Sequence, residues 1–490
     1  MATTRREFLV AAAASGLMAQ PGWAAAPGIT IVINQSPWLG GFAKLVELYT
    51  KETGNPVKLD VNPFAGAAEK ARNSVRSSEG LYDLIPINSA YLAEFYYGGF
   101  LTPLNEIDPA FKLDPEMISY DDTSWWDAAR KANTSATGRL YGVPVNGNVP
   151  VLYYRRDLYD QHGLKVPKTW EQLLANARVL HDSPRVYGMV LRAARSASDI
   201  SYDWMPYLHS FGGAIFRDEK GGDFTVTLND AAAKAALDQY LAIAKAVSPP
   251  NPGSFTQTAV VQQLLTGKAA HAINVIAAWS QVDDPARSAV VGKIDVAVAP
   301  HGPGGKPAPT LGHFIGAIPR NVPPERKKAA LAFLAWFQTR EAQTRYAEFG
   351  SPPVRRDVLA GPLSNEPRFR FMKALLDSAP HARMMHTIPE GAQINAVLEL
   401  RLNQAVIGGD RGDRSPQPGG ARNPRDHGQG RLPHRHAGAA LRPWRCERAI
   451  CLRRTLPLSP WPAHPGRTRA GRTGHGGWPC WRRSSSSWQR

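Results

Sequence analysis

The stretch "GRLYGVPVNGNVPVLYYRRDLYDQHGLKVPKTWEQLL" (residues 138–174) decides the fold. Two apolar runs of strand length, YGVPV and VPVLYY, lie on either side of Gly147. Farther along, Thr169 and Gln172 have the spacing of a capping box, in which the two side chains satisfy free backbone N–H groups at the start of a helix. The stretch therefore predicts two strands around a turn, followed by a helix.

The segments on both sides continue this alternation of strands and helices. Upstream, the runs ITIVI, VKLDV and YDLIPI have strand character and are separated by residues with helical spacing; downstream, HAINVI and KIDVAVAP are further strand candidates. This order predicts an α/β fold. Ligands of such sheets bind at the carboxyl ends of the strands, so the loops after Ile33 and Ile87 are the favoured places for a site.

The net charge of +17 is concentrated near the end of the sequence. Residues 1–408 carry 41 Lys and Arg against 37 acidic residues, whereas residues 409–490 carry 17 Arg, no Lys and 4 acidic residues. The same tail holds 12 Gly, 10 Pro and all three cysteines, Cys446, Cys451 and Cys480. This composition is typical of GC-rich coding DNA translated in a shifted frame. We predict a frameshift near Gly408 or Gly409 and an aberrant, poorly folded tail over 409–490.

The tail and the body suggest no cofactor and no metal. The spacings of the three cysteines match no ordinary zinc pattern. At the other end, TRREFL (residues 4–9) resembles a twin-arginine export signal, and an apolar run too short to span a bilayer follows it. We predict that residues 1–26 are a signal peptide and that the protein is exported to the periplasm.

Most of the remaining chain resembles the extracellular solute-binding proteins of ABC sugar importers, the maltose-binding-protein-like group. The resemblance is carried in order by residues 82–104, 138–174, 264–279 and 311–321. The second stretch is the most specific, because a strand, an aromatic pair, a short helix and the pattern P-x-T-W-x-x-L occur together. The resemblance implies a two-lobed type II periplasmic binding protein fold with a ligand cleft between the lobes.

The same resemblance implies where the lobes divide. Lobe I takes residues 27–145 plus 299–338, and lobe II takes residues 146–298 plus 339–408. The chain would cross between them near 143–149, 296–300 and 337–341.

A sugar presents apolar C–H faces and a rim of hydroxyls, so its site needs aromatic rings and planar hydrogen-bonding groups. Position and resemblance together favour three cleft aromatics: Trp38, Trp204 and Trp279. Residues near strand ends and predicted crossings supply the remaining candidates: Asp83, Asn88, Asn146, Gly312, His313 and Arg356. Structural roles remain open for them, such as a turn cap for Asp83. If Arg356 and His313 both face the ligand, an acidic or phosphorylated sugar becomes a candidate.

The function that follows from the resemblance is transport. The lobes would close on a sugar or polyol by hinge motion, and the monomeric receptor would deliver it to a membrane permease whose ATPase is a separate chain. The sequence contains no G-x-S-x-G, H-E-x-x-H or Walker motif, so it is not predicted to be an enzyme.

Two rival functions have weaker support. A secreted carbohydrate-active enzyme would need paired carboxylates, such as Asp121-Asp122 or Asp283-Asp284, but adjacent acids before Thr or Pro are typical of turns. Nucleic-acid binding would use the arginine-rich tail, and that tail lacks the lysines of a selected basic arm. We therefore predict no nucleic-acid partner.

Overall fold

The computed structural model describes residues 27–196 and 198–408. The predictions made for residues 1–26 and 409–490, including the signal peptide, the frameshifted tail and its cysteines, lie outside this range. All the described residues belong to one compact unit. Within them, no helix is both long and apolar enough to cross a membrane.

Twelve strands form in the described part of the chain. They are β1 (Ile29–Asn34), β2 (Val57–Asn62), β3 (Ile85–Asn88), β4 (Trp125–Trp126), β5 (Arg139–Leu140), β6 (Gly142–Asn146), β7 (Pro150–Arg155), β8 (Phe216–Asp218), β9 (Asp223–Val226), β10 (His271–Val275), β11 (Ile294–Ala297) and β12 (Phe314–Ala317).

Fifteen α-helices accompany these strands over the same described residues. They are α1 (Leu39–Thr53), α2 (Phe64–Arg76), α3 (Leu92–Tyr97), α4 (Leu104–Ile107), α5 (Arg156–His162), α6 (Trp170–Leu180), α7 (Asp199–Ser210), α8 (Ala231–Val247), α9 (Gln257–Leu265), α10 (Trp279–Val282), α11 (Pro324–Phe337), α12 (Arg340–Glu348), α13 (Arg356–Leu359), α14 (Phe371–Ser378) and α15 (Gly391–Gly408).

The first group of strands includes β1, β2 and β3, the earliest strands of the described residues. β1 and β2 pair in parallel over their whole lengths, and a parallel bridge between Ile31 and Leu84 connects β1 to the segment that leads into β3. β12 then pairs antiparallel with both β3 and β6. The apolar runs predicted as buried strands are confirmed here, since Ile31, Ile33 and Ile87 are all buried.

A second sheet has the order β10–β7–β11, with both pairings antiparallel. β6 and β7, which are neighbours in sequence, therefore belong to different sheets. The chain passes from the first sheet to the second between Asn146 and Pro150, and it returns between Ala297 and Phe314. The exact division into two lobes stays a prediction.

Gly147 lies in the first of these passages, and close packing explains why it is glycine. Its backbone N–H donates to the carbonyl of Pro352 at 3.3 Å. A Cβ at this position would lie 2.7 Å from the Pro353 carbonyl oxygen and 2.8 Å from the Tyr120 hydroxyl, so no side chain fits without movement. The passage therefore packs directly against residues 352–353.

The helix signals in the sequence are confirmed where they were strongest. The Thr169 hydroxyl accepts from the Gln172 backbone N–H at 3.2 Å, and the Gln172 side chain accepts from the Thr169 N–H at 3.4 Å, which completes the capping box of α6. Trp170, just inside this helix, is fully buried and stacks on Tyr207 with ring centroids 3.6 Å apart. Gly54 ends α1 in the left-handed conformation with φ 74°.

Candidate ligand-binding cleft

A cavity of about 710 Å³ lies at the carboxyl ends of β1, β2 and β3. We call it the cleft. One side is formed by residues 34–38, 63–64, Asn88 and the start of β12; the other is formed by α7, α9 and Gln281. Both loops that the sequence favours, after Ile33 and after Ile87, contribute to this lining. The cleft thus combines residues that follow the first group of strands with residues of helices that follow β7.

Three buried polar atoms at the end of β1 lack partners. The Asn34 Oδ1, the Ser36 Oγ and the Trp38 Nε1 have no hydrogen-bond partner among the residues that the structure describes. All three residues line the cleft. A buried polar group left unpaired costs about 1–3 kcal/mol, so these atoms are suited to bind a ligand that brings hydroxyl groups.

Two asparagines form a polar network where the cleft meets β12. The Asn88 side chain donates to the Gly312 carbonyl at 3.3 Å, and its Oδ1 accepts from the Tyr202 hydroxyl at 2.9 Å. The Asn148 side-chain oxygen accepts from the Ala277 backbone N–H at 3.2 Å. Tyr202 is on α7 and Asn88 ends β3, so this hydrogen bond connects the two sides of the cleft.

The charged groups of the cleft are paired with each other. The Arg192 Nε donates to Asp199 Oδ1, and the side chains of both residues are over nine-tenths buried. Asp199 also accepts from the Gln257 backbone N–H at 3.1 Å, and the Arg192 guanidinium lies 5.1 Å from the centre of the Tyr202 ring. Among the described lining residues, no other side chain carries a formal charge. The polar groups of the cleft lining are therefore mainly neutral amides and hydroxyls.

Three predicted site residues line the cleft: Trp38, Asn88 and Gly312. Trp38 is fully buried, between Phe42 and Phe314 at centroid distances of 5.2 and 5.3 Å, so it forms a wall rather than an exposed stacking surface. At Gly312 a Cβ would lie 3.2 Å from the Asn148 carbonyl oxygen. Because Gly312 has no side chain, the Asn148 backbone can pack closely against it, and room is left in the cleft.

Asp83 does not line the cleft, because it precedes β3 instead of ending it. The predicted strand over residues 82–87 begins only at Ile85. The Asp83 carboxylate is 1% exposed, accepts from the Thr30 backbone N–H at 2.7 Å and pairs with Arg326 at 2.5 Å. Its interactions connect α11 to the start of β1, which is a structural role.

The other two tryptophans also do not line the cleft. Trp204 is 2% exposed on α7, a helix that is buried along nearly all of its length. Trp279 donates its Nε1 hydrogen to the Arg368 carbonyl at 2.9 Å, and the Arg370 guanidinium covers its ring at 4.3 Å. Both rings are therefore packed inside the protein and do not face the cleft.

Asn146, His313 and Arg356 lie elsewhere as well. Asn146 is fully buried, and neither polar atom of its amide has a partner within the described part of the chain. His313 Nε2 is 2.8 Å from the Thr123 hydroxyl, and burial lowers the pKa of His313 to about 3, so the ring is neutral. Arg356 lines a different cavity of about 720 Å³ and donates to the Pro115 carbonyl at 2.7 Å. The structure does not bring Arg356 and His313 together in the cleft.

Several lining residues were not among the sequence candidates. Asn34 is the last residue of β1 and Ser36 lies two residues beyond it, so the strand-end rule alone could have found them. Asp199 and Tyr202 carried no such signal, because the face that α7 turns to the cleft depends on contacts distant in sequence.

Comparisons with known proteins agree with this architecture. The bacterial extracellular solute-binding protein family matches residues 34–344. A mannitol-binding protein of Pseudomonas aeruginosa is 27% identical over 325 residues, which cover 64% of this chain and 68% of that protein.

Two solved structures show the fold. One is an ABC transporter solute-binding protein of Agrobacterium radiobacter K84 in complex with ribitol, with a TM-score of 0.68, 23% identity and coverage of 79% of this chain and 95% of that one. The other is the maltose-bound MalE3 of T. maritima, with a TM-score of 0.68, 24% identity and coverage of 78% and 95%. The predicted two-lobed type II periplasmic binding protein fold is thereby confirmed. The chain belongs to the bacterial extracellular solute-binding protein family, a family of solute-binding proteins.

Proposed function

We propose that this protein captures a small neutral sugar or polyol in the cleft and delivers it to the permease of an ABC importer. The observation that carries the proposal is the lining of the cleft, in which amides and hydroxyls surround a single, mutually neutralised ion pair. Hydroxyl groups both donate and accept hydrogen bonds, so they match the unpaired Asn34, Ser36 and Trp38 atoms. The mannitol-binding relative and the ribitol complex support the same ligand class.

The aromatic residues of the cleft narrow the proposal further. Trp38, Tyr202 and Phe314 are each less than 7% exposed, and Phe64 is half-buried. A sugar ring that stacks on an open aromatic face needs more exposed ring than this. Recognition would therefore depend mainly on hydrogen bonds, which suits an acyclic polyol or a small sugar better than a long oligosaccharide.

The remaining parts of the proposal concern transport. Lobe I (27–145 plus 299–338) and lobe II (146–298 plus 339–408) would close on the ligand, and the closed monomer would dock on a permease that works with a separate ATPase. We also propose export to the periplasm by the twin-arginine route, which the TRREFL stretch supports.

A ligand panel tests the proposal. The full-length protein would be screened by thermal shift, and then by calorimetry, against mannitol, ribitol, maltose and glucose 6-phosphate. At about 100 times its Kd, a ligand of the native state adds about 2.7 kcal/mol to the free energy of unfolding, so a neutral polyol or sugar should raise the melting temperature clearly. A response to the phosphorylated sugar alone would contradict the neutral-ligand assignment.

Two matched glutamine variants locate the binding. Gln281 lines the cleft, whereas Gln239 is equally half-buried but donates to the Trp170 carbonyl on α6. Gln281→Ala should weaken binding and Gln239→Ala should not. Equal effects of both changes would place the ligand elsewhere.

A further inference from the structure

A second large cavity, of about 720 Å³, is separate from the cleft. We call it the second cavity. It is lined by residues 118–121, the second half of α7, residues 214–220 around β8, Arg356, and residues between Leu376 and Thr387. None of these lining residues also lines the cleft. A molecule bound in the second cavity would therefore occupy a site of its own.

Two arginines of the second cavity lack an acidic partner. Arg356 donates to the Pro115 carbonyl at 2.7 Å, but neither Arg356 nor Arg383 lies within ion-pair distance of a carboxylate in the described part of the chain. The two other cations of the lining, Arg217 and Lys220, are both paired with acids. The second cavity thus contains two guanidinium groups that could each form a charge-assisted pair with an anion from outside.

The acids of the same lining already have donors within the protein. Asp121 pairs with Lys220 at 3.2 Å. Asp218 and Glu219 are paired with neutral donors: Asp218 accepts a backbone N–H of its own turn at 2.9 Å, and Glu219 accepts from the Thr387 hydroxyl at 2.7 Å. Each carboxylate therefore has a partner, whereas the two arginines have no anion.

The unpaired arginines act on the buried groups of the second cavity. The pKa of His209 is lowered to about 4 by burial and, after it, by the positive charge of Arg383. Burial raises the pKa of Tyr120, and the charge of Arg356 acts in the opposite direction. The imidazole and the phenol are thus both neutral at pH 7, and each lies in the field of an arginine without an acidic partner. Such a field favours a bound anion.

Two histidines of the second cavity also lack hydrogen-bond partners. The His209 ring has none on either nitrogen among the described residues, and its Nδ1 is buried. His386 is 2% exposed, and both of its ring nitrogens are likewise unpaired in this range. A neutral imidazole carries one N–H, which can donate to an anionic oxygen. An unpaired buried group costs about 1–3 kcal/mol, so these rings are suited to receive their partner from a bound molecule.

The rest of the lining is largely apolar and rich in methionine. Met205, Met384 and Met385 lie here together with Ile215 and Leu376. The flexible thioether of methionine adapts to different shapes and makes favourable contacts with aromatic rings. A small inorganic ion would leave this apolar surface uncovered. The volume and the lining therefore favour a larger molecule, one part of which is apolar.

We propose that the second cavity binds an organic anion, in which an apolar body carries a carboxylate or a phosphate group. Arg383 and Arg356 pair with the anionic group, His209 donates to one of its oxygens, and the methionines contact the apolar body. The site does not depend on the proposed function, because it shares no lining residue with the cleft.

Calorimetry on the full-length protein tests the proposal with simple probes. Benzoate and phenyl phosphate represent the two anionic groups, benzyl alcohol is the neutral analogue, and acetate and inorganic phosphate lack the apolar body. At about 0.15 M salt the Debye length is about 8 Å, so general attraction of anions to the positive chain is largely screened. We expect benzoate or phenyl phosphate to bind about tenfold or more tightly than benzyl alcohol, acetate and inorganic phosphate. The tighter of the two identifies the preferred anionic group.

Three arginine variants locate the binding. Arg383→Gln and, independently, Arg356→Gln should each weaken anion binding about tenfold, because each removes a charge-assisted hydrogen bond. Arg401→Gln is the matched control and should bind as wild type. Arg401 is exposed on α15, donates to Gln404 at 3.2 Å and lines neither cavity, yet its loss lowers the net charge equally. All three arginines are exposed, so the ligand-free variants should melt close to wild type.

The outcomes distinguish this site from the cleft. If neither aromatic anion binds more tightly than benzyl alcohol, or if Arg383→Gln binds it as well as Arg401→Gln does, the inference is overturned. Displacement of the anion by ribitol, or its loss in Gln281→Ala, would place it in the cleft and would also overturn the inference. Anion binding that survives both tests supports the second cavity even if no sugar or polyol binds to the protein.

Discussion

Removing one charge from the buried ion pair of the cleft should destabilise the protein strongly. In Asp199→Asn the amide keeps the shape of the carboxylate, but Arg192 remains charged in a site where its side chain is 8% exposed. Two unit charges about 4 Å apart interact by about 4 kcal/mol at an effective dielectric constant of about 20. Breaking a buried pair typically costs about 3–5 kcal/mol. We therefore expect the free energy of unfolding to fall by about 3–5 kcal/mol.

Urea unfolding followed by tryptophan fluorescence measures this loss, and a surface pair provides the control. Lys234 and Asp238 lie one helical turn apart on α8 at 2.5 Å, but their side chains are 72% and 61% exposed. Asp238→Asn should change the free energy of unfolding by less than about 0.5 kcal/mol. If Asp199→Asn is as stable as Asp238→Asn, water reaches the Arg192–Asp199 pair more than its burial indicates, and the reasoning is refuted.

Three further predictions follow from single residues. Burial raises the pKa of Asp203 to about 7, so the folded protein holds a proton that the unfolded chain releases, and the free energy of unfolding falls as the pH rises from about 4 to 7. Asp203→Asn should remove this part of the pH dependence in urea titrations. An unchanged pH profile of stability would contradict the prediction. Gly312→Ala places a methyl group 3.2 Å from the Asn148 carbonyl oxygen and narrows the cleft. Calorimetry should therefore show about a tenfold weaker polyol affinity, with the fold retained. Undiminished affinity would place the ligand away from this wall of the cleft. Trp38→Phe keeps an aromatic wall but removes the unpaired Nε1, so polyol affinity should fall about three- to tenfold while the ligand-free protein stays folded. If the ligand-free variant does not fold, Trp38 is needed for packing alone.

Sequence patterns predicted the elements well because the relevant signals are local. The apolar run of β1 and the capping box of α6 each depend on a few neighbouring residues, and both are present in the structure. The assignment of strands to sheets was harder. β6 and β7 are separated by only three residues, yet they join different sheets; a crossing near 143–149 was predicted, but the strand order within each sheet was not.

The candidate site was predicted only in part, for reasons that individual residues illustrate. The strand-end rule predicted the segments of Trp38 and Asn88, which line the cleft, whereas Asp83 does not line it because it lies at the amino end of its apolar run and not at the carboxyl end. Trp204 illustrates a second difficulty. It is on a helix that is buried on almost every side, so periodicity does not distinguish the face toward the cleft from the face toward the core.

The contact of Gly147 with residues 352–353 has a mechanical consequence. Backbone lies directly on backbone there, with a 3.3 Å hydrogen bond and no intervening side chain that could yield. We therefore expect residues 352–353 to move together with the passage at Gly147 if the lobes shift. An insertion at this junction is expected to break the backbone contact and let the two segments move separately.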